Sequence, residues 1–289
     1  ATTEIYTLSL HDALPISYVA MNTSIGCPYS CHYCCTNAIF NKPGIRYWSI
    51  NKVLLWLDDL VLNHNVRNIR FDDELFLLSS NRVDEFCSRV IERGYDLNLS
   101  VYGRVDTIHE SLLEKMKTAG INWVSLGIES GNAEVRASAN KKINHDIEKV
   151  VHSIQNHGIN VIGNYMFGLP TDTLETMQQT LDLAVKLNTE YVNFYTVMAY
   201  PGSQLYSDSV DKSGWLPDNW EGYSQLGAEA KPLPSSHLSS SEILEFRDNA
   251  LHKYFDRNEY REMITEKFGS CVNMHLDRML QVRIVRKFL

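Results

Sequence analysis

The sequence predicts an α/β fold assembled from repeated strand–helix units, and three observations predict it. Short apolar runs alternate with amphipathic helical stretches through most of the chain. Helix-starting hydroxyls stand at Ser49 and at Thr171 or Thr173, where side chains can accept from free backbone N–H groups. Gly94, Gly120 and Gly158 each stand where a helix should end, just ahead of the next apolar run. In chain order, strands are expected over residues 18–23, 68–71, 98–102, 123–127, 160–167 and 191–197. Helices are expected between them, over 49–63, 81–93, 108–119, 144–156 and 173–187. From about Ser203 the alternation stops. A loop-rich stretch with Trp215, Trp220 and the run Lys-Pro-Leu-Pro-Ser-Ser from Lys231 leads to helices near 240–256 and 259–286.

Composition narrows the function. Hydrophobic residues make up 44% of the chain, enough for a full core. A net charge of −8 argues against a general nucleic-acid binder, which needs a basic face. The C-terminal residues Arg278, Arg283, Arg286 and Lys287 are an exception, and a packed terminal helix is the expected reading of them. No apolar run reaches the ~18 residues of a membrane span. Residues 1–17 back-translate in one frame into a widely used short-read sequencing adapter, so they are read as non-native and set apart from the fold. The expected organisation is therefore 1–17 adapter, 18–206 core barrel and 207–289 C-terminal loop and helices.

The segment Cys-Pro-Tyr-Ser-Cys-His-Tyr-Cys carries the chemistry. Cys27, Cys31 and Cys34 put three thiols on one short loop, a spacing that favours a metal centre over a disulfide framework. Clusters of thiolates hold zinc or an iron–sulfur cube. A closed structural site needs a fourth ligand. Cys35 adjoins Cys34 too closely to reach the same centre without strain, and His32 is a weak candidate. A cube with three protein-bound irons and one open iron is the favoured expectation. Cys87 and Cys271 stand apart, and no second tight cysteine set exists.

The three-cysteine spacing, with the aromatic Tyr33 ahead of the third cysteine, resembles the signature of the radical S-adenosylmethionine (radical SAM) superfamily. The resemblance runs from Tyr18 to about Tyr206 and implies a partial (β/α)6 TIM-like barrel with a C-terminal helical extension. It implies a [4Fe-4S] cluster and S-adenosyl-L-methionine as cofactors, with reductive cleavage of SAM to a 5′-deoxyadenosyl radical. Rim motifs at the strand ends would then contact SAM. Asp72 and Asp73 of Phe-Asp-Asp-Glu would take its ammonium, and Arg104 of Tyr-Gly-Arg-Val-Asp its carboxylate. Gly127, Glu129 and Ser130 of Gly-Ile-Glu-Ser-Gly would meet its ribose or methionine end. Gly163 would line the adenine, and Pro201 of Tyr-Pro-Gly-Ser would shape the adenine edge. In Gly168-Leu169-Pro170, Thr171 and Asp172 depart from the family's usual Gly and Glu. The resemblance is strongest to members carrying an N-terminal cobalamin-binding domain, grouped with anaerobic magnesium-protoporphyrin ester cyclases and cobalamin-dependent methyltransferases. Such a domain would precede Tyr18. A small-molecule substrate, an external donor such as flavodoxin or ferredoxin, and a cytoplasmic setting follow as expectations. The competing expectation is a zinc or iron–sulfur module, structural or electron-transferring, that does not cleave SAM.

Overall fold

The computed structural model describes residues 18–210 and 215–287, so the adapter-like segment lies outside the described residues. In chain order its strands are β1 (Tyr18–Met21), β2 (Ser24–Ile25), β3 (Arg46–Tyr47), β4 (Asn68–Phe71), β5 (Asn98–Arg104), β6 (Ile121–Glu129), β7 (Asn160–Phe167) and β8 (Tyr191–Thr196). The helices are α1 (Ile50–Leu62), α2 (Ser80–Ile91), α3 (Leu113–Thr118), α4 (Ala133–Ser138), α5 (Ile147–Asn156), α6 (Leu174–Leu187), α7 (Gln204–Val210), α8 (Ser240–Phe255), α9 (Asn258–Phe268) and α10 (Cys271–Gln281). Six strands form one parallel sheet in the order β1-β4-β5-β6-β7-β8, curled into a half-barrel. That is the expected partial barrel. The β2–β3 pair is a small antiparallel addition.

The two faces of the sheet differ as alternation requires. Ile69, Leu99, Val101, Val124, Leu126 and Val161 are buried on the helix side. There α1 contributes Val53, Leu54, Leu57 and Val61, and α5 contributes Val150, Val151 and Ile154. These spacings place one apolar stripe per helix against the sheet. The concave side is polar and is crossed by the registered row Arg104, Gly127, Asn164 and Asn193. Within it Asn193 Nδ2 donates to Asn164 Oδ1 at 2.9 Å, and Asn164 Nδ2 donates to Ser125 Oγ at 2.9 Å.

Most expected ends hold to within two residues. Thr173 rather than Thr171 caps α6, accepting from Thr176 N. Gly94, Gly120 and Gly158 all have left-handed φ, as C-caps require. Two expectations need correction. The third helix begins only at Leu113, because residues 105–107 and 110–112 form separate 3-10 turns. The single helix expected over 259–286 is two helices, broken at Gly269 with φ +84°, and its basic end leaves the helix after Gln281. Arg286 then lies buried in a bidentate pair with Asp248, at 2.9 and 2.8 Å.

The C-terminal helices stop the half-barrel at the end opposite the strand C-termini. Tyr254 and Tyr260 donate to the carbonyls of Thr189 and Glu190, just before β8, at 2.7 and 2.9 Å. Phe268 stacks on Trp123 near the start of β6, with centroids 5.6 Å apart. Each buried aromatic contributes about 2–3 kcal/mol of burial, so this end is firmly closed. The opposite rim stays available for the loops. No described helix is long and apolar enough to cross a membrane.

Candidate functional site

The cysteine loop leaves the rim directly after β1 and β2. Gly26 starts it with φ +91°, and a Cβ there would come within 2.5 Å of the Gly44 carbonyl oxygen, so only glycine fits. Gly44 N donates back to Cys27 O at 2.9 Å. His32 ties the loop through its backbone: its N–H donates to Ala139 O and its carbonyl accepts from Leu205 N, both at 3.0 Å. Asn37 and Asn140 side chains bind the carbonyls of Tyr29 and Ser30 at 2.7 and 2.8 Å. The loop is therefore held from four sides.

Beneath it sits the acidic run after β4. Asp73 is 1% exposed, and its two oxygens accept from Thr23 N, Thr23 Oγ1 and Ser24 Oγ at 2.5, 2.6 and 2.6 Å. Glu74 accepts from Gly26 N at 3.0 Å. Asp72 is held by Arg70, with bonds of 2.5 and 3.0 Å. The structure thus commits Asp73 to bracing the cysteine loop and Asp72 to an ion pair. Asp73→Asn keeps one acceptor oxygen but removes the charge and puts an NH2 where the other oxygen takes its hydrogen bonds, and should cost about 1–3 kcal/mol. Chemical denaturation would measure that loss, and iron content after reconstitution would fall with it.

Around Cys31 several groups converge. Arg104 Nη1 approaches Cys31 Sγ at 3.7 Å, and its guanidinium carbon lies 3.8 Å from the Tyr29 ring centroid. Its Nε and Nη2 form a bidentate pair with Asp106, at 2.8 and 3.0 Å. Nη2 also donates to Lys142 O at 3.3 Å. Only Nη1 is left for the centre. Burial works against both ions, yet the pairing raises the Arg104 guanidinium and holds the Asp106 carboxyl below its ordinary value. Burial pushes the Cys27 and Cys31 thiols up. At Cys31 it is opposed by the Lys141 and Arg104 charges and the Tyr33 phenol. Tyr33 itself is raised by burial and packs against the apolar cluster that includes Val135, Leu169 and Leu205.

Glu129 ends β6 with φ +67°, a left-handed backbone that costs a non-glycine residue about 1 kcal/mol or more. The β6–β7 register slips at this point. The distortion turns Glu129 onto Lys141, in an ion pair whose side chains are 10% and 4% exposed. The pair lies over Gly127, where an added Cβ would meet Lys141 Nζ at 2.7 Å and Glu129 Oε1 at 2.8 Å. Lys141 and Asp106 were not anticipated from sequence. Asp106 stands two residues after Arg104, on the 3-10 turn of residues 105–107 that ends β5, and its closeness in sequence is the signal for it. Lys141 had only the faint one of a cation near small residues.

The other expected positions serve the frame. Ser130 Oγ bonds Thr180 Oγ1 at 3.0 Å and accepts from Asn132 N at 3.1 Å, fixing the start of α4. Gly163 is registered with buried Leu126 and Val192, and a Cβ there would lie 2.8 Å from the Tyr165 ring, so packing alone accounts for it. Pro201 leads into Gly202, at φ +89°, where a Cβ would lie 2.4 Å from Ala38 Cβ. The turn after β8 thereby seats on the residues following the cysteines.

Among the described residues, no three His, Cys, Asp or Glu side chains are placed to hold a single metal ion. A lone tetrahedral ion needs its sulfurs about 2.3 Å from one point. A cube takes each thiolate on a different iron. Three thiols on one braced loop, flanked by the donors Arg104 and Tyr33, fit that second demand.

A model of the radical SAM superfamily matches residues 21–184. An uncharacterized methyltransferase of Pyrococcus horikoshii is 27% identical over 273 residues, covering 94% of this chain and 58% of that protein. The anaerobic magnesium-protoporphyrin IX monomethyl ester cyclase of Rubrivivax gelatinosus is 27% identical over 205 residues, covering 68% of this chain and 37% of the cyclase. The chain thus spans about a third to three-fifths of these relatives' lengths. The radical SAM methyltransferase TsrM from Kitasatospora setae, solved with cobalamin and a [4Fe-4S] cluster, superposes with a TM-score of 0.61 at 18% identity. The match covers 78% of this chain and 43% of that one, a likeness of fold.

Proposed function

The chain belongs to the radical SAM superfamily, and from that premise we propose that it cleaves S-adenosylmethionine reductively at a [4Fe-4S] cluster held by Cys27, Cys31 and Cys34. The observation that carries this reading is the convergence of Arg104, Tyr33, Lys141 and Glu129 on Cys31, at the rim end of the half-barrel. A simple metal carrier has no use for a strained glutamate and two buried cations beside one thiol. The chemistry such a cluster supplies when bound is one electron delivered to the sulfonium of SAM, giving methionine and a 5′-deoxyadenosyl radical.

The chain's own residues do the rest. Cys27, Cys31 and Cys34 would hold the cluster, and three protein ligands for four irons would leave room for SAM to bind there. Arg104 Nη1 and the Lys141 ammonium favour negative charge beside Cys31, on sulfur or on a bound carboxylate. Glu129 offers an acceptor to the ammonium or ribose of SAM, and the missing side chain at Gly127 leaves room for it. Asp106 holds the guanidinium in place. Asp73 and Ser130 keep the loop and strand end where the ligand needs them. Tyr33, packed against the apolar cluster that includes Leu169 and Leu205, helps keep water from the centre.

The substrate is a small organic molecule. The relatives, a methyltransferase and a cyclase among them, support methyl transfer or ring closure, with cobalamin as a further cofactor wherever its binding domain accompanies this one. Protein reconstituted anaerobically with iron and sulfide, reduced with dithionite and given SAM should release 5′-deoxyadenosine, read by chromatography. A fully loaded protein that releases none overturns the proposal.

A further inference from the structure

We infer that Gln225 is a positioning residue for the cysteine loop and is itself gripped by Arg247 and the C-terminal Arg286, so that the end of the chain sets how firmly the three thiols are held. Calling that loop the cluster site rests on the function proposed above; the contacts themselves do not. β8 ends the sheet, so its outer edge has no strand beside it. Its last residue, Thr196, is nonetheless fully buried, where an unpaired backbone donor and acceptor would find no water. Gln225 supplies both partners. Its Oε1 accepts from Thr196 N at 2.9 Å and Thr196 Oγ1 at 3.1 Å, and its Nε2 donates to Thr196 O at 2.8 Å. A side-chain amide carries the donor and acceptor of a peptide unit, so one glutamine stands in for a neighbouring strand. Its Nε2 also reaches the Tyr200 hydroxyl at 3.4 Å. Tyr200 opens the turn that seats on the cysteine loop. There Ser203 N donates to Tyr200 O at 2.9 Å, Gly202 lies against Ala38, and Leu205 N donates to His32 O at 3.0 Å.

Charge fixes Gln225 from behind. Arg247 Nη2 donates to the Gln225 carbonyl, and Arg286 Nη1 donates to the carbonyls of Gly227 and Gln225 at 2.7 and 3.4 Å. The two arginine side chains are 2% and 0% exposed, and they share one carboxylate, Asp248. Burial and the Arg286 charge bring the Arg247 guanidinium down to about 10. Two buried cations on one carboxylate need further acceptors, and the carbonyls of this loop provide them. Lys287 N adds a bond to Ala228 O at 2.9 Å. Residues beyond α10 are thereby joined to the cysteine loop through Gln225, Thr196 and the turn after β8, a contiguous run of contacts of the kind that carries coupling.

The test sets wild type, Gln225→Ala and Arg286→Met beside Tyr260→Phe, which removes one buried bond at the opposite end of the barrel. Amide hydrogen exchange over residues 27–41 is read by mass spectrometry on the full chain, and stability by chemical denaturation. On cluster-loaded protein, the rate at which a chelator strips iron is read as well. We expect the cysteine loop to exchange about tenfold faster in Gln225→Ala and Arg286→Met, the factor that one or two lost hydrogen bonds give, and iron to leave faster by a similar factor. Tyr260→Phe should leave both rates at wild-type values, whatever stability it loses. Wild-type exchange of the loop in either of the first two variants overturns the inference. So does exchange that rises in all three in proportion to lost stability, because that is loosening of the whole fold. Should Gln225→Ala fail to fold, Arg286→Met decides alone, since Asp248 keeps Arg247 as its partner. Exchange is read with or without a cluster, so a wild type that cleaves no SAM contradicts the proposed function and leaves this result standing.

Discussion

Cys31→Ala, reconstituted anaerobically, is expected to lose the iron–sulfur absorbance and all release of 5′-deoxyadenosine, while its melting temperature stays near wild type. Cys31 is the thiol on which Arg104, Lys141 and Tyr33 act, and two remaining thiolates cannot hold a cube against exchange with solvent. The fold should survive, because the loop is tied by backbone bonds at His32, Cys27 and Cys34 that need no Cys31 side chain. Cys35→Ala is the matched control. Its thiol is exposed beside the Gly202 turn, and iron content and SAM cleavage should stay at wild-type values. Loss in the control equal to that in Cys31→Ala would mean the ligand set is misassigned.

The second large effect is on stability. Lys141→Met leaves the Glu129 carboxylate buried with no counter-ion, and breaking a buried pair from one side costs about 3–5 kcal/mol. Chemical denaturation should show a loss of that size. Replacing both partners, Glu129→Leu with Lys141→Met, should recover much of it, because neither charge then needs solvation. The double variant should nonetheless bind SAM poorly, since it keeps the volume and discards both charges. Recovered stability together with wild-type SAM affinity would show that the pair is merely structural.

The sequence revealed what is local. The cysteine spacing needs nothing beyond a short loop, and the βα phasing is carried by caps and glycines that act within a few residues. Tertiary choices were less visible. Asp72 and Asp73 are adjacent carboxylates on a rim, and nothing in the letters says that Arg70 takes one while Thr23 and Ser24, fifty residues earlier, take the other. The letters offer Arg104 for the SAM carboxylate, but Asp106 takes its Nε and Nη2 and leaves Nη1 beside Cys31. The role of Lys141 depends on a register slip and a left-handed Glu129, features no periodicity encodes. The break at Gly269 shows in the letters only as a glycine, and the apolar pattern continues across it.

Electron paramagnetic resonance of the anaerobically reduced protein, recorded before and after SAM is added, tests the central claim most directly. A cluster bound by three cysteines and open at one iron should give a reduced-cluster signal that changes shape when SAM binds. A bound zinc ion without signal, or a cluster signal indifferent to saturating SAM, would contradict the account.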